Sequence, residues 1–184
     1  VKATFDSVGG SLVRLELLSH LDAEDRGRNM LLFDRSAERI YKAQSGLITA
    51  QAGVALPNHW SPMKRADGPT TLAAGSNELA VRFESAGEGG IKLVKTYTFT
   101  RGSYVIGVKH EVSNGGSAAV TPQLYLGLER DGNPARGESK WYFTFTGPAL
   151  YTDAKKYEKI DFKDIEKGKT GHATSASDGW IAMV

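Results

Sequence analysis

KTYTFTRGSYVIGVKHEV, residues 95–112, alternates apolar and polar side chains, breaks at Arg101 and Gly102, and then resumes the alternation. A period of two belongs to a strand with one buried face, so the stretch reads as a long hairpin. In the outgoing arm Ile91, Leu93, Tyr97 and Phe99 point one way, with Lys95 interrupting the apolar row, and Thr96, Thr98 and Thr100 point the other. Gly102 supplies the positive φ that such a reversal needs. In the returning arm Tyr104, Ile106, Val108 and Val112 share a face with His110, while Gly107, Lys109 and Glu111 line the opposite one. The apolar rows are expected to bury against a sandwich core at roughly 25 cal/mol per Å² of apolar surface.

The same rhythm runs outward in both directions. Val1, Ala3 and Phe5 share a face, Gly9 and Gly10 make a turn, and Val13, Leu15 and Leu17 alternate with Arg14 and Glu16. Residues 21–28 are charged, break at Gly27, and read as a loop or a short helical turn. Residues 30–33 and 39–48 read as further strands, and residues 53–78, with Pro57, Pro62 and Pro69, as a long connection. Leu79, Val81 and Phe83 alternate again, and GEGG at 87–90 reads as a turn. Later strands are expected at 124–129, 141–147 and 180–184, with Trp141 and Trp180 in the core. Residues 153–168 suit a helix or an irregular charged strand. Strands about ten residues apart, split by Gly, Pro and Asn turns, predict an all-β sandwich over 1–184 as a single domain.

Composition narrows the function. A chain of 184 residues with 40% hydrophobic residues needs no staple to stay folded. The net charge is +2 with Lys and Arg scattered among Asp and Glu, so no nucleic-acid footprint is present. The absence of cysteine excludes disulfides, thiol catalysis and Cys-ligated zinc. No apolar run is long enough to span a bilayer. The chain opens and closes in mid-pattern, on VKATF and GWIAMV, and so reads as a piece excised from a longer protein.

Chemical motifs are sparse. His20, His59, His110 and His172 lie far apart, without metal spacing. His110 is expected as a half-buried, hydrogen-bonded side chain rather than a base. There is no Gly-x-Ser-x-Gly elbow. DGNPARGES opens like a calcium loop with Asp131 and Asn133, then places Ala135, Arg136 and Tyr142 where a ligand, a glycine and a glutamate belong. No metal and no cofactor are therefore expected. Trp60, in the loop segment NHWSPM, is the tryptophan best placed for contact with a ligand in a cleft. The charged run KKYEKIDFKDIEK reads either as a solvated face or as a docking surface anchored by Tyr157.

YKAQSGL at 41–47, GSNEL at 75–79, KTYTFTRGSYVIGVKHEVSNGG at 95–116, GPALYTDAKKYEKIDF at 147–162 and GWIAMV at 179–184 follow one another in an order and spacing that resembles the large periplasmic domain of the YidC membrane protein insertase family of Gram-negative bacteria. The resemblance implies a β-supersandwich, the doubled sandwich also found in galactose mutarotase-like sugar-binding domains. It implies a location at the periplasmic face of the inner membrane and non-catalytic, accessory work in inserting client membrane proteins, alone or with the Sec translocon, including SecDF. The stretch from Trp141 to Asp164 corresponds to the part implicated in that contact. Tyr151, Lys156, Tyr157, Glu158 and Lys159 are the residues expected to contribute. The competing reading is a carbohydrate- or peptide-binding sandwich. Enzyme activity is not expected, because His110 and Glu111 are neighbours on one strand and point to opposite faces.

Overall fold

The structure is a computed structural model and describes residues 1–133, 144–169 and 171–184. Its strands are β1 (Lys2–Asp6), β2 (Ser11–Leu21), β3 (Asn29–Arg35), β4 (Ile40–Ile48), β5 (Met63–Arg65), β6 (Glu78–Ser85), β7 (Ile91–Thr100), β8 (Ile106–Asn114), β9 (Gln123–Arg130), β10 (Pro148–Thr152), β11 (Lys156–Lys159) and β12 (Trp180–Met183), with one short helix, α1 (Phe162–Glu166). They form three antiparallel sheets, ordered β1-β2-β3-β4-β9, β5-β6-β7-β8 and β11-β10-β12. The all-β expectation holds. No helix among the described residues is long and apolar enough to cross a membrane.

The quoted hairpin is β7 and β8, in unbroken register from Ile91↔Asn114 to Phe99↔Ile106. β7 is an inner strand of its sheet. Its inward row, Ile91, Leu93 and Tyr97, packs with Phe83 of β6, Met63 of β5, Leu47 of β4 and Leu56, and Phe5 of β1 leans against the same cluster. Phe5 stacks obliquely on Phe83 at 5.1 Å and on Tyr97 at 4.6 Å between ring centres. Side chains from the two larger sheets thus share one core, which makes these sheets the two layers of a sandwich.

Lys95 is not an interruption of that row but is as deeply buried as Leu93, with no solvent exposure. Its Nζ donates to the carbonyls of Gly9 and Ser45, both at 2.6 Å. Two residues on, the Tyr97 hydroxyl donates to the carbonyl of Gly10 at 2.8 Å. A buried polar group is tolerable when its hydrogen bonds are made, and here the bonds run from one layer to the turn and strand of the other. Gly9 has to be glycine for this: its φ is +71°, and a Cβ would sit 2.4 Å from the His59 carbonyl oxygen.

Several expectations need correction. The apolar side of β8 is not buried: Val108 and Val112 are each 42% exposed, because β8 is the outer strand of its sheet. Tyr104 precedes the strand rather than belonging to it. Phe99 is only partly buried. The long connection contains β5, which pairs Met63–Arg65 with Ser85–Phe83. Residues 153–168 divide into a turn, β11 and α1. Of the strand expected at 141–147, residues 141–143, and with them Trp141, lie outside the described residues, and residues 144–147 are not strand. Trp180 is 49% exposed on the edge strand β12 and is not core.

Candidate functional site

The small sheet carries a row of exposed and partly exposed aromatic side chains. Its register sets Tyr157 of β11 opposite Tyr151 of β10, and Tyr151 opposite Trp180 of β12, so the three residues lie in one row across the strands. Tyr151 and Trp180 stack at 6.0 Å with ring planes 15° apart, and the Tyr157 ring lies 5.8 Å from that of Trp180. The row is flanked by cations. Lys156 Nζ stands 5.9 Å from the Tyr151 ring centre, and Lys159 Nζ stands 5.9 Å from that of Tyr157 and 5.0 Å from that of Phe145. Such rings offer apolar area and a polar tip at low cost in side-chain entropy.

Local sequence explains the arrangement. Lys156 opens β11 with φ +59°, an uncommon value for a residue with a side chain, and this turns the chain back from β10. Gly179 precedes β12 with φ +111°, and any Cβ there would meet the Tyr151 carbonyl oxygen at 2.0 Å. Without that glycine Trp180 could not come alongside Tyr151. The sheet is moored to the sandwich by the Tyr41 hydroxyl, which donates to the Met183 carbonyl at 3.0 Å, and by Arg130, which donates to that of Val184.

Of the five docking residues expected from the sequence, Tyr151, Lys156, Tyr157 and Lys159 come together on this surface. Glu158 does not join them. It pairs across with Leu150 and approaches His172 Nδ1 at 3.7 Å and Lys155 Nζ at 3.9 Å. Trp180 is the member that sequence reading missed; its apolar surroundings, WIAMV, disguised an edge strand as core.

Trp60 is 70% exposed and sits beside His59, at 4.7 Å between rings, with Lys42 Nζ 6.0 Å away. The His59 ring is hydrogen-bonded to the Tyr125 hydroxyl, and burial, then the Lys42 charge, lowers its pKa. Trp60 does not line the cleft beside β1. That cleft, about 950 Å³, opens instead between the edge of β1 and the β6–β7 face.

Inside the sandwich, Ser45 Oγ and His110 Nε2 are 2.7 Å apart, the hydrogen-bonded, half-buried state expected for His110. Burial, then the neighbouring Lys95 charge, lowers the His110 pKa. The hydroxyl and imidazole resemble a nucleophile and base, but the buried Ser45 side chain lines neither the cleft beside β1 nor the small cavity at Leu56 and Pro57. Among the described residues no group of three or more His, Asp and Glu is placed to hold a metal.

The whole chain, residues 1–184, matches the family model described as the YidC periplasmic domain. It is 48% identical over 184 residues to the membrane protein insertase YidC of Janthinobacterium sp. strain Marseille, 50% to that of Cupriavidus necator and 46% to that of Dechloromonas aromatica. Each match covers 100% of this chain and 32% of the relative, so the chain spans less than two thirds of the length of these proteins. With a family match from end to end and strands where the alternating residues require them, the chain belongs to the YidC periplasmic domain family.

Proposed function

We propose that this domain is a non-catalytic docking scaffold on the periplasmic side of the inner membrane, within an insertase that assists the insertion and folding of membrane proteins, alone or with the Sec translocon. Family membership supplies the periplasmic side and the insertase context. The observation that carries the docking role is the row Tyr157–Tyr151–Trp180 with Lys156 and Lys159 over it. Clustered tyrosine and tryptophan rings have the composition of a protein-binding centre, and the lysines stand where a polar rim belongs. SecDF is the partner we assign to this surface. In full-length insertase, Tyr157→Ala and the pair Lys156→Glu, Lys159→Glu should each reduce capture of SecDF on affinity beads. Wild-type capture by both would retire the assignment. A polarimetric assay for mutarotation tests the non-catalytic part: a rate above background would overturn it.

A further inference from the structure

The back of the small sheet holds two polar atoms that neither a hydrogen bond nor solvent satisfies. In the β10–β11 register Tyr157 lies opposite Tyr151, and its neighbour Glu158 lies opposite Leu150, which is 9% exposed. Side chains alternate between faces along a strand, so Glu158 points away from the aromatic row, to the covered side of the sheet. There it meets His172, whose Nδ1 is 3.7 Å from Glu158 Oε1. His172 Nδ1 and Glu158 Oε2 are both shut off from solvent, and neither has a hydrogen-bond partner among the described residues.

Burying a polar atom without a partner is costly, and these two groups can satisfy each other. A neutral imidazole with its proton on Nε2 turns a lone pair towards the carboxylate. A protonated one turns an N–H towards it, and closure by about 1 Å then makes a charge-assisted hydrogen bond of ordinary length. The other charges around the pair come in opposite signs. Lys155 Nζ, from the β10–β11 turn, stands 3.9 Å from Glu158 Oε1 and donates to the Gly171 carbonyl. Asp164 of α1, which feels the His172 charge, is paired with Lys169 Nζ at 2.7 Å. Glu158 is the only carboxylate in an ion pair with His172 among the described residues.

The pair is placed to act on the row in front of it. Glu158 follows Tyr157 directly, and Trp180 comes eight residues after His172. A contact that draws His172 onto β11 therefore holds both ends of the row, Tyr157 and Trp180, whose rings are 5.8 Å apart.

We propose that His172 and Glu158 form a proton-operated brace. Protonation of His172 draws the chain around it onto the back of β11 and steadies the aromatic row for its partner; loss of the proton loosens both. This regulation rests on the docking reading given above. Histidine changes charge between about pH 5 and 8, so the brace is present on the acid side of that window and is lost as pH rises through it.

The test is a pH titration of the isotopically labelled chain across that window, followed by NMR. In the wild type the Trp180 indole N–H and the Tyr157 amide should shift in step with the His172 ring resonances. In Glu158→Gln both signals should lose that step. The proposal is overturned if the two signals stay flat while His172 titrates, which needs no variant to see, or if Glu158→Gln leaves their titration intact. In full-length insertase, SecDF capture should be roughly two- to fivefold stronger at the acid end, the size of a partly exposed ion pair, and His172→Gln should remove that dependence. Equal capture at both ends, in protein whose capture still depends on Tyr157, overturns the regulation. Capture indifferent to Tyr157→Ala would instead retire the docking reading, and the shifts at Trp180 and Tyr157 would still decide the brace.

Discussion

Lys95 and Ser45 stand on opposite layers of the sandwich, and the lysine ammonium donates to the serine carbonyl at 2.6 Å, with the Gly9 carbonyl as its second acceptor at the same distance. Among the described residues no carboxylate forms an ion pair with it; burial is what shifts the group, and it pulls the Lys95 pKa from 10.5 down to about 8. A base whose folded pKa is depressed adds stability above its unfolded pKa and loses it as pH falls through the folded value. Wild-type stability relative to Lys95→Met should therefore climb between pH 8 and 10.5, by about 3 kcal/mol at most. Urea titrations of both proteins across that range check this. Parallel curves would show that the lysine does not titrate in the fold.

On the acid side, His59 and His110 both have pKa values lowered by burial. Their contribution is present above the ordinary histidine value of 6.5 and is lost as pH falls below it. A His59→Gln, His110→Gln double variant should show a flatter dependence of melting temperature on pH between about 4.5 and 7 than the wild type. Identical slopes would count against both assignments.

Core and cleft positions on β7 should respond differently. Leu93 is fully buried, so Leu93→Ala should cost about 2–5 kcal/mol. Phe99 is partly buried and lines the cleft, so Phe99→Ala should fall short of the roughly 3–5 kcal/mol of an enclosed phenylalanine. Chemical denaturation of the two variants gives the comparison, and an equal or larger loss at Phe99 would mean that the cleft is closed in solution.

Gly46 lies in β4 where a Cβ would come within 2.5 Å of the Tyr125 hydroxyl and 2.6 Å of the Asn58 Cα. The second neighbour is backbone and cannot swing away. Gly46→Ala should therefore destabilise by about 1–3 kcal/mol, the usual cost of overpacking. A wild-type melting temperature would show that the segment around Asn58 gives way freely.

The docking row carries its own control. Lys156 and Lys159 are exposed, and reversing their charges should move unfolding free energy by no more than about 0.5 kcal/mol. Loss of SecDF capture accompanied by a large drop in stability would point to a damaged sheet rather than a lost contact.

Where side chains alternate against one covered face, the strands could be read directly. Glu78–Ser85 announces itself in this way, and Ser11–Leu21 and Ile91–Thr100 are long enough for the alternation to show although Leu12 and Val13, and Leu93 and Val94, are adjacent and both buried. β10 is not, because it has only five residues and two of them, the adjacent Ala149 and Leu150, are both buried, which leaves no period of two to see. β5 is three residues long and exists through its pairing with Phe83–Ser85. The Trp180 error has a similar origin, since an apolar run does not say whether its strand will be an edge. Lys95 looked like a break in a row because its acceptors, Gly9 and Ser45, are 86 and 50 residues away. Tyr151, Lys156, Tyr157 and Lys159 were legible as a cluster because they are close in sequence. The cleft was not, because β1, the Thr70–Leu72 segment and the β7–β8 turn meet only in three dimensions.

The carbonyls of Gly9, Gly10 and Ser45 are all gripped by side chains of the opposing layer. Three such tethers, set along β7 at Lys95 and Tyr97, prevent one sheet from gliding over the other. The tethers stop short of Phe5 and Phe99, where the cleft begins, so a wider groove at that end need break none of the three bonds.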